Sequence, residues 1–218
     1  MSRVDEIRTA LLGVRREIPD SATLIVVTKT FPISDLEILY GLGERHFGEN
    51  RDEEGSVKSA ALPSDLTWHF QGRLQSQKLR SIVTWADYIH SLDDLSHARK
   101  MDRIAGELDK RPKIFIQINL DENERSDNRN GINPAELTRF ATEMVTLKNL
   151  EIVGVMGIGP LGMDPEPGFE LLRELSMSLQ GAIPGARFIS AGMSGDFKKA
   201  LAHGATHLRI GSSILGSR

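Results

Sequence analysis

Eight times between residues 23 and 210, a short apolar run rich in β-branched residues gives way to a longer amphipathic stretch. The runs fall at 23–28 (TLIVVT), 46–48, 67–70 (TWHF), 88–91, 113–119 (KIFIQIN), 151–156 (EIVGVM), 186–190 and 206–210. Short apolar runs of this kind suit strands buried on both faces, as in a parallel sheet covered by helices. Pro32 opens the first intervening helix, with Ser34, Asp35 and Glu37 in its early turns. Further helices are predicted from Asn50, from Leu74 (LQSQKLRSIV), from a cap at Asp93 or Asp94 to about Lys110, and over 134–147, 166–179 and 194–203, with a final turn at 212–215. Residues 1–18 read as an amphipathic helix ahead of the first strand. Eight strand–helix units behind an extra N-terminal helix imply an α/β chain folded as a single (β/α)8 TIM-type barrel. The competing arrangement is an open doubly wound sheet, and the strand count favours the barrel. The chain has 218 residues. Barrels of this type start at about 200 residues, so one domain over 1–218 is expected.

Composition removes several functions. The formal charge is −3, without the basic footprint of a nucleic-acid binder. With no cysteine, disulfide scaffolds, thiolate zinc sites and thiol nucleophiles are all excluded. No apolar run approaches the roughly 20 residues that span a bilayer. Asp5, Glu6 and Glu17 interrupt what would be the apolar core of a signal peptide. A cytoplasmic protein that engages neither membrane nor nucleic acid is expected.

In a barrel the chemistry sits at the C-terminal ends of the strands. Lys29 follows the first strand in VVTKTFP. Taken alone it is a solvated lysine closing a strand. Held at a barrel mouth between apolar walls, it becomes a Schiff-base nucleophile toward an aldehyde. Strand seven runs into Ser190-Ala-Gly-Met-Ser194-Gly-Asp196, and strand eight into Arg209-Ile-Gly211-Ser212-Ser213. Either Gly/Ser stretch alone marks a turn. Together they occupy the two loops that usually hold phosphate in this fold, where small residues, hydroxyls and a helix start can cradle a dianion. His203 and His207 are four apart, but Gly204 stands between a helix end and a strand, so they make no metal pair. The charged stretch 121–130 reads as a solvated loop or a lid. No HExxH, GxSxG or Walker pattern is present.

Taken together, VVTKTFP, HFGENRDEE, WHFQGRLQSQK, GVMGIGP, SAGMSGDFKKAL and ATHLRIGSSILG resemble the pyridoxal phosphate homeostasis protein family, whose barrel is similar to the N-terminal domain of alanine racemase. The resemblance implies pyridoxal 5′-phosphate (PLP) bound as a Schiff base on Lys29. It implies control of the cofactor pool, without an established turnover reaction and with no catalytic residue. By the same resemblance Ser194, Gly211 and Ser212 hold the phosphate and Arg209 faces the pyridine nitrogen. Asn50 and His69 line the ring's surroundings, and Met156 lies beside the cofactor. Ala191, Gln77 and Arg51 depart from the family's usual residues, as does the loop 119–131 with its Arg129. A guanidinium at the ring nitrogen stays protonated, so it disfavours protonation there and weakens the ring as an electron sink.

Two enzymatic alternatives remain open. An amino-acid racemase needs a base on each face of the substrate carbon, and Tyr40 and Tyr88, the two tyrosines present, are predicted away from the strands' C-terminal ends. A class I aldolase-like barrel shares the lysine and the phosphate loops but needs an acid/base group that the sequence does not identify. The expected partners are PLP, amino acids that displace the lysine, and apo-enzymes in transient contact with a monomer.

Overall fold

The computed structural model describes residues 2–121, 131–160 and 162–217. Helix α1 (Arg3–Arg15) comes first, and its Ser2 cap is reinforced by a capping box with Asp5. The barrel strands are β1 (Thr23–Val27), β2 (His46–Glu49), β3 (Thr67–Phe70), β4 (Tyr88–Leu92), β5 (Lys113–Gln117), β6 (Glu151–Met156), β7 (Phe188–Ser190) and β8 (His207–Ile210). The intervening helices are α2 (Ile33–Gly41), α3 (Asp52–Ala61), α4 (Leu79–Trp85), α5 (Leu95–Glu107), α6 (Leu137–Met144), α7 (Glu166–Ala182) and α8 (Phe197–Ala202), and α9 (Ser212–Leu215) follows β8. Neighbouring strands pair in sequence order, all parallel, and β8 returns to β1 through Thr23–His207, Leu24–Leu208, Ile25–Arg209 and Val26–Ile210. The barrel is closed. The open-sheet alternative is thereby removed.

Several elements are shorter than their sequence pattern. The helix expected from Leu74 begins at Leu79, because residues 74–78 form a turn closed by Lys78 N–H on the Gln75 carbonyl at 2.8 Å. The run expected to end at 119 leaves the sheet after Gln117. The helix predicted over 134–147 opens as a 3₁₀ turn at Pro134–Glu136, capped by Asn133. The greater part of the 121–130 stretch, with Arg129, lies outside the described residues. Among the described residues no helix is long and apolar enough to cross a membrane.

Alternate residues of each strand meet two different environments. Leu24, Val26, Ile114 and Ile116 join the large apolar layer between sheet and helices. The interior is filled differently. Phe115, Val153 and Met156 form a small cluster of their own. Beside them lie stacked imidazole and aromatic rings, His90 on Phe115 at 4.4 Å and His69 on Tyr88 at 4.6 Å. His207 packs against Phe188 at 4.9 Å and edge-on to Phe115 at 5.2 Å.

Burial keeps these imidazoles neutral. It pushes His69 and His90 well below the ordinary histidine value, and His207 down to about 4 from 6.5. In the unfolded chain they protonate near 6.5, so the unfolded state binds the extra protons. The stabilisation is complete above that pH and is lost as pH falls. Urea unfolding at a series of pH values is therefore expected to show stability dropping by about 1.4 kcal/mol per pH unit for each such imidazole. His207→Phe, which suits the aromatic surroundings, should flatten the slope between pH 6.5 and about 4 by one such increment.

Candidate functional site

Parallel closure puts every strand's C-terminal end on one rim. There, a cavity of ≈ 450 Å³ is lined by Lys29 after β1, Gln71 after β3, Ser194 after β7, and Arg209, Gly211 and Ser212 at the end of β8. Such a volume lies within the range of about 300–1,000 Å³ of small-molecule sites. Five of the eight residues singled out in the sequence thus share one cavity. Asn50 is exposed at the end of β2, outside the lining. Met156 is buried at the end of β6 against Phe115 and Val153. His69 lies deeper in the barrel, wholly buried, bonded to two other histidines.

Lys29 is exposed, and among the described residues it makes no hydrogen bond or ion pair. Val27 and Met193 supply apolar wall to its cavity, but the lysine itself is not buried. The segment on which it stands is held rigidly. Thr30 adopts φ 68°, a left-handed conformation that costs a β-branched residue energy. Its N–H donates to Glu54 Oε1 at 2.6 Å. Glu54 is also bound by Lys58 Nζ at 2.6 Å, and the same ammonium donates to the Thr28 carbonyl and to Glu49 Oε1, both at 2.7 Å. Thr28 Oγ1 donates to the same Glu49 oxygen at 2.5 Å. Burial raises the Glu49 carboxyl, opposed by the bonds from Lys58 and Thr28. A buried ion cluster therefore clamps both residues that flank Lys29.

Across the cavity, the β7 and β8 loops are tied together. Ser213 N–H donates to Ser194 Oγ at 3.2 Å. Gly192 has φ 89°, and a Cβ there would stand 2.9 Å from Ala200 Cβ and from Phe197 Cα. Only glycine lets the loop turn this closely over α8. A Cβ on Gly211 would meet the Val27 carbonyl at 3.0 Å, so small size also keeps the cradle open beside β1.

Arg209 forms the floor. Its guanidinium is buried, with Nη1 donating to Ser190 Oγ at 2.7 Å and Nη2 to the Gly157 carbonyl at 3.0 Å. Burial lowers it to about 10 from 12.5, still protonated at neutral pH. Beside it, Gln71 Nε2 is buried without a hydrogen-bond partner among the described residues. Gln71 lines the cavity, while this nitrogen lies closed over Gly48, where a Cβ would stand 2.3 Å from it. In the sequence Gln71 directly follows a strand but carries no motif of its own, and Glu49, Glu54 and Lys58 have charges that look like an ordinary solvated helix start. His203 bonds Glu170 at 2.9 Å outside the barrel while His207 sits inside, which separates the two. Among the described residues no group of three acidic or histidine side chains is arranged to hold a metal.

The closed eight-stranded parallel barrel is of the alanine racemase N-terminal type. The alanine racemase N-terminal domain family matches residues 3–218. The chain is 42% identical to the pyridoxal phosphate homeostasis protein of Synechocystis sp., over 92% of this chain and 94% of that protein. It is 33% identical to that of Schizosaccharomyces pombe, over 97% and 93%. This chain belongs to the pyridoxal phosphate homeostasis protein family. Among solved structures it is similar to PipY of Synechococcus elongatus, at 38% identity, covering 96% of this chain and 100% of that one. The TM-score is 0.90 without PLP and 0.87 with PLP bound. An alanine racemase of Clostridium difficile, 12% identical with a TM-score of 0.78, covers 98% of this chain and 57% of its own, and shares the fold.

The clamp beneath Lys29 has a measurable weight. Lys58→Met leaves the Glu49 carboxylate buried without its cation and is expected to cost about 3–5 kcal/mol in urea unfolding. Adding Glu49→Gln should recover much of the loss, because the uncompensated charge is then gone.

Proposed function

We propose that this protein binds PLP at the C-terminal mouth and takes part in the intracellular homeostasis of that cofactor. The observation that carries the reading is the grouping of Lys29, Ser194, Gly211, Ser212 and Arg209 around one cavity. These are groups suited in turn to an aldehyde, a phosphate and a pyridine nitrogen. The PLP-bound PipY structure and the names of the curated relatives support it. When bound, the cofactor supplies an aldehyde that condenses with an amine. Lys29 is that amine. Ser194 and Ser212 hydroxyls hold the phosphate where Gly211 lets the backbone approach. Arg209, anchored from below by Ser190 and Gly157, presents a permanent positive charge to the ring nitrogen and keeps a proton off it. Asn50, Met156 and His69 lie outside the lining of this cavity and are given no contact with the cofactor.

The test is spectroscopic. The protein incubated with PLP should show a yellow absorption band that borohydride bleaches, and peptide mass analysis should place the pyridoxyl group on Lys29. Lys29→Ala should abolish the band without altering the thermal melt. A label on Lys78 or Lys198 instead would refute the site.

The fold shared with alanine racemase favours racemisation as a second reading. That reaction needs a base on the face opposite Lys29. Tyr40 lies on α2, and Tyr88 opens β4 at the far end of the barrel, where Lys113 Nζ donates to its hydroxyl at 3.1 Å. Neither reaches the cavity at Lys29. The protein is accordingly read as a cytoplasmic monomer that stores PLP and releases it to amino acids or apo-enzymes. Chiral analysis of alanine after long incubation with the loaded protein is expected to show no turnover at enzyme rates of about 1–10³ s⁻¹. Turnover at such rates, lost in Lys29→Ala, would establish the racemase instead.

A further inference from the structure

Beneath the cavity an unbroken polar chain crosses the barrel. His46 Nδ1 lies 3.0 Å from His69 Nε2, His69 Nδ1 lies 2.9 Å from His90 Nε2, and His90 Nδ1 lies 2.8 Å from Ser190 Oγ. Arg209 Nη1 donates to that same oxygen at 2.7 Å. His69, His90 and Ser190 are each 0% exposed, whereas His46 is half-buried. It opens into a second cavity of ≈ 450 Å³ at the N-terminal mouth, the face away from Lys29.

Donor and acceptor chemistry gives this chain a direction. Arg209 can only donate, so Ser190 Oγ accepts from it. The one partner then shown for the Ser190 proton is His90 Nδ1. His90 must carry its proton on Nε2 and donate to His69 Nδ1. His69 in turn donates from Nε2 to His46 Nδ1. The opposite order would leave the Ser190 hydroxyl proton buried with no acceptor, which is costly. A protonated His46 would carry a proton on Nδ1, where it now accepts. It could then only donate to His69, and every bond up to Ser190 would have to turn round.

We propose that His46, His69 and His90 are positioning residues for Arg209, forming a directed relay through which the protonation of His46 at the N-terminal mouth changes how the guanidinium is held at the opposite mouth. Besides His69, its hydrogen-bond partner, ionisable groups face His46 from several elements: Arg15 on α1, Glu44 after α2, Asp65 before β3, Asp87 and Tyr88 at the start of β4, Lys110, Arg111 and Lys113 leading into β5, and His207 on β8. Burial is the largest influence and lowers His46, with Arg15 and Lys113 acting in the same sense and Glu44 and Asp87 against it. The turn-round therefore belongs to the acid side of neutrality.

Nuclear magnetic resonance of the protein without added cofactor tests the relay directly. At pH 8, His69 and His90 should both be protonated on Nε2. The proton affinity of His46, followed by its ring C2–H, should rise at least about threefold in Ser190→Ala and in Arg209→Met, since the end bond that sets the direction is gone. Two variants are used so that poor folding of one leaves the other. An unchanged His46 titration in a folded variant overturns the proposal, as does the opposite tautomer at His69 or His90. A second arm rests on the PLP reading. The absorption band of the loaded protein should move with pH in step with His46, and His46→Leu should remove that inflection while the band itself persists. An inflection that survives His46→Leu counts against the relay. Absence of any band in the unmutated protein counts against the PLP reading alone, and the resonance measurements still decide the relay.

Discussion

The pairing of β8 with β1 is the contact on which the site depends. Ile25 lies opposite Arg209 and Val26 opposite Ile210 in that ladder. The strand that delivers Lys29 is thereby fixed beside the one that delivers Gly211 and Ser212. Without closure these loops would sit at the two edges of a sheet, many strands apart. A parallel ladder also fixes polarity, so residues following β1, β3, β7 and β8 all emerge on one rim.

The interior of this barrel is unusually polar for a packed core. Burying an imidazole or a guanidinium costs several kcal/mol unless its hydrogen bonds are met. Here they are met by one another, His46 to His69 to His90 to Ser190 to Arg209, and by stacking on Tyr88 and Phe115. The arrangement concentrates one positive charge on Arg209 and keeps the buried rings beneath it neutral. The charge presented to the cavity is thus set by the core that supports it.

A similar division of labour holds the lysine that follows β1. Lys29 itself is exposed and unconstrained at its tip. Its backbone neighbours are not, because Thr28 and Thr30 are bound to the Lys58, Glu49 and Glu54 cluster, and Thr30 is kept in a left-handed conformation that it would not choose alone. An exposed amine thus sits on a stiff length of backbone.

Much of this was legible in the order of residues. The eight β-branched runs with helices between them specify a closed barrel, because a strand buried on both faces needs helices outside and a packed interior within. The rule that chemistry gathers at the strands' C-terminal ends points to Lys29 and to the Ser/Gly stretches 190–196 and 209–213, and the family resemblance narrows these to Ser194, Arg209, Gly211 and Ser212, which share one cavity with Lys29. What the linear pattern could not convey is which buried polar groups meet across the barrel. His90 and Ser190 are a hundred residues apart and bond only because β4 and β7 face each other over the interior. The family resemblance implies that His69 lines the ring's surroundings. Strand register instead places it a layer down, between two other imidazoles. Lys58 and Glu49 look solvated in sequence and are buried in fact, with their pairing offsetting part of the cost of burying both charges. Local order determines which elements form, because propensity and periodicity act between near neighbours. Pairing across a closed barrel is decided only when the strands take their register.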